Sequence, residues 1–116
     1  MNYQTTIQKN QDGWNAKSEA ILGETTEGTR MLSLRTSKTR GGLASTASAF
    51  IRSTKTGYSV DTTVIFEDFF KSNIAPTPCS RITEKAIELA HQAALVHMES
   101  LIATAKVFYN QTTATV

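Results

Sequence analysis

The last third of the chain constrains the fold most strongly. From Ser80 to about Tyr109 no proline or glycine occurs, and apolar residues recur at helical spacing, so the sequence predicts one long helix over residues ~81–109. Placed at about 100° per residue, its apolar side covers an arc of roughly 200°, which is wider than one sheet face needs. Such a helix would be about 43 Å long, whereas a six-residue strand spans roughly 20 Å. We therefore expect it to overhang its own sheet and to contact a second copy of the chain.

Small and polar residues line the middle of this arc, and small residues let another helix approach closely. Larger residues flank it, with Ile82, Leu89, Val96 and Val107 on one side and Ile87, Met98, Leu101 and Phe108 on the other. We expect one flank to contact the parent sheet and the other a neighbouring helix, which predicts a homodimer. The expected interface residues are Ala86, Ala90, Ala93, Ala94, His97, Met98, Leu101, Ala105 and Phe108. The alternative is that Tyr3, Ile7, Phe69, Phe70 and the termini cover the arc within one chain.

The first two-thirds of the chain is rich in threonine, serine and alternating patterns that are typical of strands. Strands are predicted at residues 3–9, 14–22, 31–36, 43–53 and 58–67, with turns or loops between them. Pro76 and Pro78 exclude a helix through residues 69–79, which we expect to be irregular, and Ser80 or Thr83 is expected to cap the helix. The prediction is a single α+β domain, residues 1–116. An antiparallel meander of four to five strands (residues ~3–67) packs one face on the helix and leaves the other face open.

Charge is distributed unevenly along the chain, although the formal net charge is only +2. Residues 1–55 carry eight basic and four acidic side chains, and residues 56–116 carry four basic and six acidic ones. Such asymmetry is typical of proteins with an anionic partner, although ordinary scatter on a soluble surface also produces it. The open sheet face is thus a candidate platform for single-stranded nucleic acid, in which cations neutralise phosphates and Phe50 stacks a base. The expected binding residues are Lys17, Arg35, Lys38, Arg40, Phe50, Arg52 and Lys55.

No motif indicates catalysis, a cofactor or a metal site. The chain has neither a His-Glu-x-x-His nor a Cys-x-x-Cys pattern, and it has no glycine-rich phosphate loop. His97 falls inside the apolar arc and is expected to be a hydrogen-bonded core or interface histidine, while His91 is expected near the border of the polar side. The single cysteine, Cys79, is expected to be half-buried and unreactive. We therefore predict a protein that is not an enzyme.

Localisation and an alternative function follow from what the sequence lacks. No apolar run approaches the ~20 residues of a membrane helix, and residues 1–13 lack the pattern of a signal peptide. These features favour a cytoplasmic protein without membrane contact, and the single thiol fits a reducing cytosol at least as well as an oxidising compartment. The alternative to nucleic-acid binding is a small protein-binding or inhibitory module, of the kind that phages and mobile elements carry, which acts by occluding a partner protein.

Overall fold

The computed structural model describes residues 3–11, 13–39, 42–53, 57–58, 60–74 and 82–114, with 60–64, 73–74 and 112–114 described by their backbone alone. Its elements are β1 (Tyr3–Asn10), β2 (Gly13–Glu24), β3 (Thr29–Thr39), β4 (Gly42–Ser53), β5 (Val60–Ile74), α1 (Glu84–Leu95) and α2 (Met98–Ala114). The strands form one antiparallel sheet in the order β1-β2-β3-β4-β5. The predicted α+β class with an antiparallel meander is confirmed.

The fifth strand is longer than the sequence predicts. The ladder with β4 continues to the pair Leu43–Ile74, so residues 69–74 are strand and not irregular. Ala47 pairs with Phe70, but Ala49 pairs with Phe66, which leaves extra residues on β5. This bulge holds Asp68 at φ +51° and interrupts the alternation from which the strand was predicted. Residues 75–81, with Pro76, Pro78, Cys79 and Ser80, lie outside the described residues.

The predicted single helix is wrong, because the structure has two. Thr83 is the cap of α1, and its hydroxyl accepts a hydrogen bond from the Ala86 N–H at 3.2 Å. After Leu95 the His97 N–H donates to the Ala94 carbonyl at 3.0 Å, an i→i−3 bond that tightens the turn between the helices. α1 contacts β1 to β4, whereas α2 contacts β2 to β5. Because of this turn, each helix packs along a different part of the twisted sheet. No residue type in the sequence predicts where the turn occurs.

The helices bury only one side of the predicted apolar arc. The buried residues keep a spacing of three or four across the turn and are Ile87, Ala90, His91, Ala94, Met98, Leu101, Ala105 and Tyr109. On the other flank Leu89, Val96 and Val107 remain 58%, 78% and 52% exposed. An arc this wide does not indicate which part of it faces the sheet.

Burial of this one flank changes the role of the residues expected at a dimer interface. Ala90, Ala94, Met98, Leu101 and Ala105 are buried against the chain's own sheet, so they do not lie on a surface that a second copy reaches. Ala93 and His97 are exposed, and Ala86 and Phe108 are half-buried. Phe108 stacks on the Phe66 ring with a centroid distance of 3.9 Å.

The core consists of two apolar clusters with a polar layer between them. Ala16 and Leu43 belong to the smaller cluster, whereas Ala20 and Ala47, four residues further along the same strands, belong to the larger one. His91 occupies the layer and is 1% exposed. The remaining members are hydroxyl groups from four adjacent strands, namely Thr5, Ser18, Thr36 and Ser45.

Both ring nitrogens of His91 are hydrogen-bonded in this layer. The Nε2 atom lies 2.7 Å from the Ser18 hydroxyl, and the Nδ1 atom lies 2.7 Å from the Thr36 hydroxyl. Thr5 and Ser45 extend the chain of bonds at 2.7 and 2.6 Å. The core histidine is therefore His91, contrary to the prediction for His97, whose exposed ring lies 5.5 Å from the Phe70 ring.

Candidate functional site

A row of side chains crosses the face of the sheet opposite to the helices. The strand register aligns Thr6, Lys17, Arg35, Thr46 and Lys71, one from each strand in turn. Residues paired in an antiparallel ladder lie side by side on the same face, and the next residues in sequence, Ala16, Thr36 and Phe70, face the core. We call these five residues the basic row. From Lys17 to Lys71 it spans three strand intervals, or about 14 Å.

Within the described part of the chain, acidic side chains balance only part of the positive charge of the basic row. Lys17 and Arg35 are directly opposite each other, an arrangement that destabilises a sheet when the charges have the same sign. The Lys17 Nζ lies 3.9 Å from the Glu19 carboxylate, but Glu19 binds Arg52 more closely, at 2.8 Å. Among the described residues, Arg35 and Lys71 have no ion-pair partner. An anion placed above the row would relieve the repulsion.

Arg52 and Phe50 do not offer the open surface that the sequence predicts. The Arg52 guanidinium makes two hydrogen bonds to the Glu19 carboxylate, at 2.8 and 3.3 Å, and lies 5.1 Å from the centroid of the Phe50 ring. Phe50 is only 5% exposed, so it has no ring face on which a base could stack. The alternating pattern indicates the face on which a residue lies, but not whether a neighbouring arginine covers it.

A cleft opens beside the basic row where two hairpins diverge. β2 and β3 pair only from Ala16–Thr36 onward, while residues 13–15 pair with β1 and residues 37–39 pair with β4. The resulting hairpin cleft has a volume of about 770 Å³. It is lined by Gln8, Asn10, Gly13, Trp14, Asn15, Ala16, Lys17, Arg35, Thr36, Ser37, Lys38 and Thr39.

The lining of the hairpin cleft is basic and polar. Three cations contribute to it, and no acidic side chain does among the described residues. Two of these cations, Lys17 and Arg35, also belong to the basic row, so the cleft and the row form one continuous positive surface. Amide, hydroxyl and indole groups supply the other polar contacts. This surface suits a ligand that carries both negative charge and hydrogen-bonding groups.

Three of the seven residues predicted to bind nucleic acid come together here, namely Lys17, Arg35 and Lys38. Arg52 is bound to Glu19 and Phe50 is covered, while Arg40 and Lys55 lie outside the described residues. Sequence reasoning missed Lys71, because the bulge hid the continuation of β5. It also missed the position of Trp14 and Asn15 beside the cations, because a pattern does not indicate where a ladder ends.

The buried histidine is not a second candidate site. Both of its ring nitrogens are already bonded, and burial lowers the pKa of His91 from its ordinary value, which favours the neutral ring. In the described part of the chain, no three His, Cys, Asp or Glu side chains are grouped so that they could hold a metal ion. None of the described helices has the length and apolar character to cross a membrane.

Comparisons with protein-family models, with curated proteins and with solved structures found no match.

Proposed function

We propose that this protein is a non-enzymatic nucleic-acid-binding protein that contacts the phosphate backbone through the basic row and the hairpin cleft. Lysine and arginine side chains that neutralise phosphates release condensed counterions, and this release supplies most of the affinity of sequence-independent binding. The basic row presents its cations on one rigid face, at intervals set by the strand spacing. An extended polyanion laid across the strands meets Lys17, Arg35 and Lys71 in succession.

The observation that carries this proposal is the placement of Lys17 directly opposite Arg35. Two cations in this position cost stability, and glutamate or threonine in either place would remove the cost. Glu19, the acid beside Lys17, is already bound by Arg52 at 2.8 Å. The arrangement is understandable if an external anion occupies the space above the pair.

Titration of a labelled 20-nucleotide single strand at several salt concentrations tests the proposal. We expect log Kd against log salt to give a slope magnitude of about 2 to 3, as three or four phosphate contacts produce on a single strand. Arg35→Gln is expected to weaken binding and to reduce the slope by about 0.7. Lys106→Gln is the matched control, because Lys106 is an exposed cation on α2, on the opposite side of the molecule.

Two results would contradict nucleic-acid binding itself. One is a single strand and a duplex that both bind more weakly than about 0.1 mM at low salt. The other is binding whose strength does not depend on salt. Equal loss of affinity in the Arg35 and Lys106 variants would place the contact elsewhere.

A second candidate function, binding of a protein, is supported by the outer surface of the two helices. Exposed residues repeat there at alternating steps of four and three and are Leu89, Ala93, Val96, Ser100, Ala103 and Val107. This spacing is the one by which helices pack along a seam. The partner best supported is a second copy. An antiparallel pair about a two-fold axis near Met98 places Leu89 against Val107 and Ala93 against Ala103.

Light scattering tests this second candidate. We expect a dimer mass that Val96→Glu converts to the monomer mass. Ile21→Glu should leave the dimer intact, because Ile21 is equally apolar and 65% exposed but lies on β2. A wild-type chain that remains monomeric at its highest soluble concentration would exclude the homodimer and leave occlusion of a different protein as the role of this surface.

A further inference from the structure

The hairpin cleft supports an inference that rests on the proposed nucleic-acid binding and makes it more specific. We infer that the cleft receives a nucleobase from a single strand, that this base packs against Trp14, and that the adjoining phosphates lie on Lys17 and Arg35. The ligand class is thus single-stranded nucleic acid, and the base-contacting residue is Trp14 in place of Phe50.

Trp14 has the burial and the contacts that this role requires. It is half-buried at the end of the helix-covered face, where it packs against the small apolar cluster that contains Ala16, Leu43 and Ile87, and it borders the hairpin cleft where β2 and β3 part. The Lys9 Nζ lies 6.0 Å from the ring centroid. Among the described residues the Trp14 indole N–H has no hydrogen-bond acceptor. This group is not among the buried polar atoms that lack a partner, so it is accessible to solvent, and an acceptor atom of a base would replace water there.

The dimensions and polarity of the hairpin cleft fit a base with its sugar. A volume of about 770 Å³ lies within the range that small-molecule sites occupy, roughly 300–1,000 Å³. Gln8 and Asn15 contribute side-chain amides, which carry both donors and acceptors. The facing strand edges at residues 13–15 and 37–38 are not paired with each other, so main-chain groups adjoin the same space.

The ease with which a base can enter the hairpin cleft determines which form of nucleic acid fits it. In a duplex the bases are stacked and paired, and a base can enter a side cleft only after it is extruded. In a single strand a base can turn out at little cost and pack on an aromatic side chain, which contributes about 1–3 kcal/mol per base. The basic row alone would bind any polyanion, whereas the row together with the cleft distinguishes strands with accessible bases.

Trp14 is the only tryptophan of the chain, so its fluorescence reports directly on the hairpin cleft. Three probes of equal length separate the contributions: oligothymidylate, its duplex with oligoadenylate, and an abasic oligonucleotide. We expect all three to bind in a salt-dependent manner and only oligothymidylate to quench the Trp14 emission. Trp14→Leu, assayed with labelled probes, should weaken oligothymidylate binding by about 5- to 150-fold and leave abasic binding unchanged.

Tyr58→Leu is the matched aromatic control, because Tyr58 is 77% exposed and is not among the residues that line the cleft. It should change neither affinity. Asn15→Ala is a second test that leaves the packing of Trp14 in place. This variant should weaken oligothymidylate binding more than abasic binding, and it decides the matter if Trp14→Leu does not fold.

The outcomes separate the inference from the proposed function. If the abasic probe quenches Trp14 as strongly as oligothymidylate does, or if both variants weaken the two single strands equally, the base-binding inference is overturned while nucleic-acid binding stands. If none of the three probes binds, the proposed function fails and the inference fails with it.

Discussion

Both faces of the sheet carry polar side chains, but the two sets differ in whether they find partners among the described residues. On the helix-covered face His91 and its neighbouring hydroxyls, including Ser18 and Thr36, complete one another's hydrogen bonds at 2.6–2.7 Å. On the open face Lys17 and Arg35 oppose each other, and the nearest acid is bound to Arg52. Polar groups that satisfy each other inside the chain stabilise the fold, whereas charges left unbalanced on a rigid surface favour a ligand from outside. The contrast explains how one face stabilises the fold and supports the binding proposed for the other.

Removal of the buried ring should have the largest effect. We expect His91→Ala to lower the free energy of unfolding by about 3 kcal/mol, because it opens a cavity and leaves the hydroxyls of Ser18 and Thr36 without their ring partner. Urea denaturation measures the change. His97→Ala is the control and should cost less than about 0.5 kcal/mol, since that ring is exposed. Equal losses of unfolding free energy in the His91 and His97 variants would contradict the stabilising role of the covered face.

A smaller loss is expected where α2 is joined to the sheet. The Tyr109 hydroxyl accepts from the Met31 N–H at 3.0 Å and lies against the carbonyl oxygens of Met31 and Phe50, to one of which it donates. Tyr109→Phe should lower the free energy of unfolding by about 1–1.5 kcal/mol, measured by thermal denaturation. Tyr58→Phe, at an exposed position, should have no effect. A variant at Tyr109 as stable as the wild type would show that these bonds are replaced by water at no cost.

The covered face should also make stability depend on pH. Burial lowers the pKa of His91 below 6.5, so the unfolded chain binds this proton more readily than the folded one does. The contribution is complete above pH 6.5 and decreases as the pH falls below that value, by at most about 1.4 kcal/mol per pH unit. Denaturation at pH 7.5, 6 and 5 measures it. The His91→Ala chain should lose this part of the dependence, and an unchanged pH profile would contradict the assignment.

The smallest expected change in the free energy of unfolding is on the open face, and it is an increase. Arg35→Gln should raise the free energy of unfolding by about 0.3 kcal/mol, because it removes a like charge opposite Lys17, while it weakens binding of a single strand. Urea denaturation and oligonucleotide titration are measured on the same sample. Lys106→Gln should alter neither quantity. A destabilised Arg35 variant would mean that the chain itself compensates this charge, and the contrast between the two faces would then fail.

Local patterns predicted much of the fold and less of the site. Alternation correctly placed Ala16, Ser18 and Ala20 on one face of β2, because the period of a strand is fixed by its geometry. It failed in β5, where the bulge at Asp68 changes the period. The prediction left open which flank of the helix faces the sheet, and it placed His97 in the core in place of His91, because an apolar arc of roughly 200° has no unique centre.

The site depends on relations between strands that a single strand does not encode. Lys17 and Arg35 were each predicted as binding residues, but their opposition follows from the register of β2 with β3. The hairpin cleft exists because this ladder stops at Ala16–Thr36. Phe50 was predicted on the correct face, yet Arg52 covers it from two residues away. Tertiary contacts of this kind decide which predicted residues a ligand reaches.

The polar layer of the core has a consequence for how the strands find their alignment. A slip of two residues in β3 would keep Leu32 and Leu34 on the covered face, so hydrophobic burial alone scarcely distinguishes the slipped sheet from the native one. The slip would, however, bring Leu34 to the position of Thr36. One imidazole nitrogen of His91 would then be buried without a hydrogen-bond partner. A misaligned hairpin would therefore be less stable, because it lacks a buried hydrogen bond. In this way His91 favours the native register of the meander during folding.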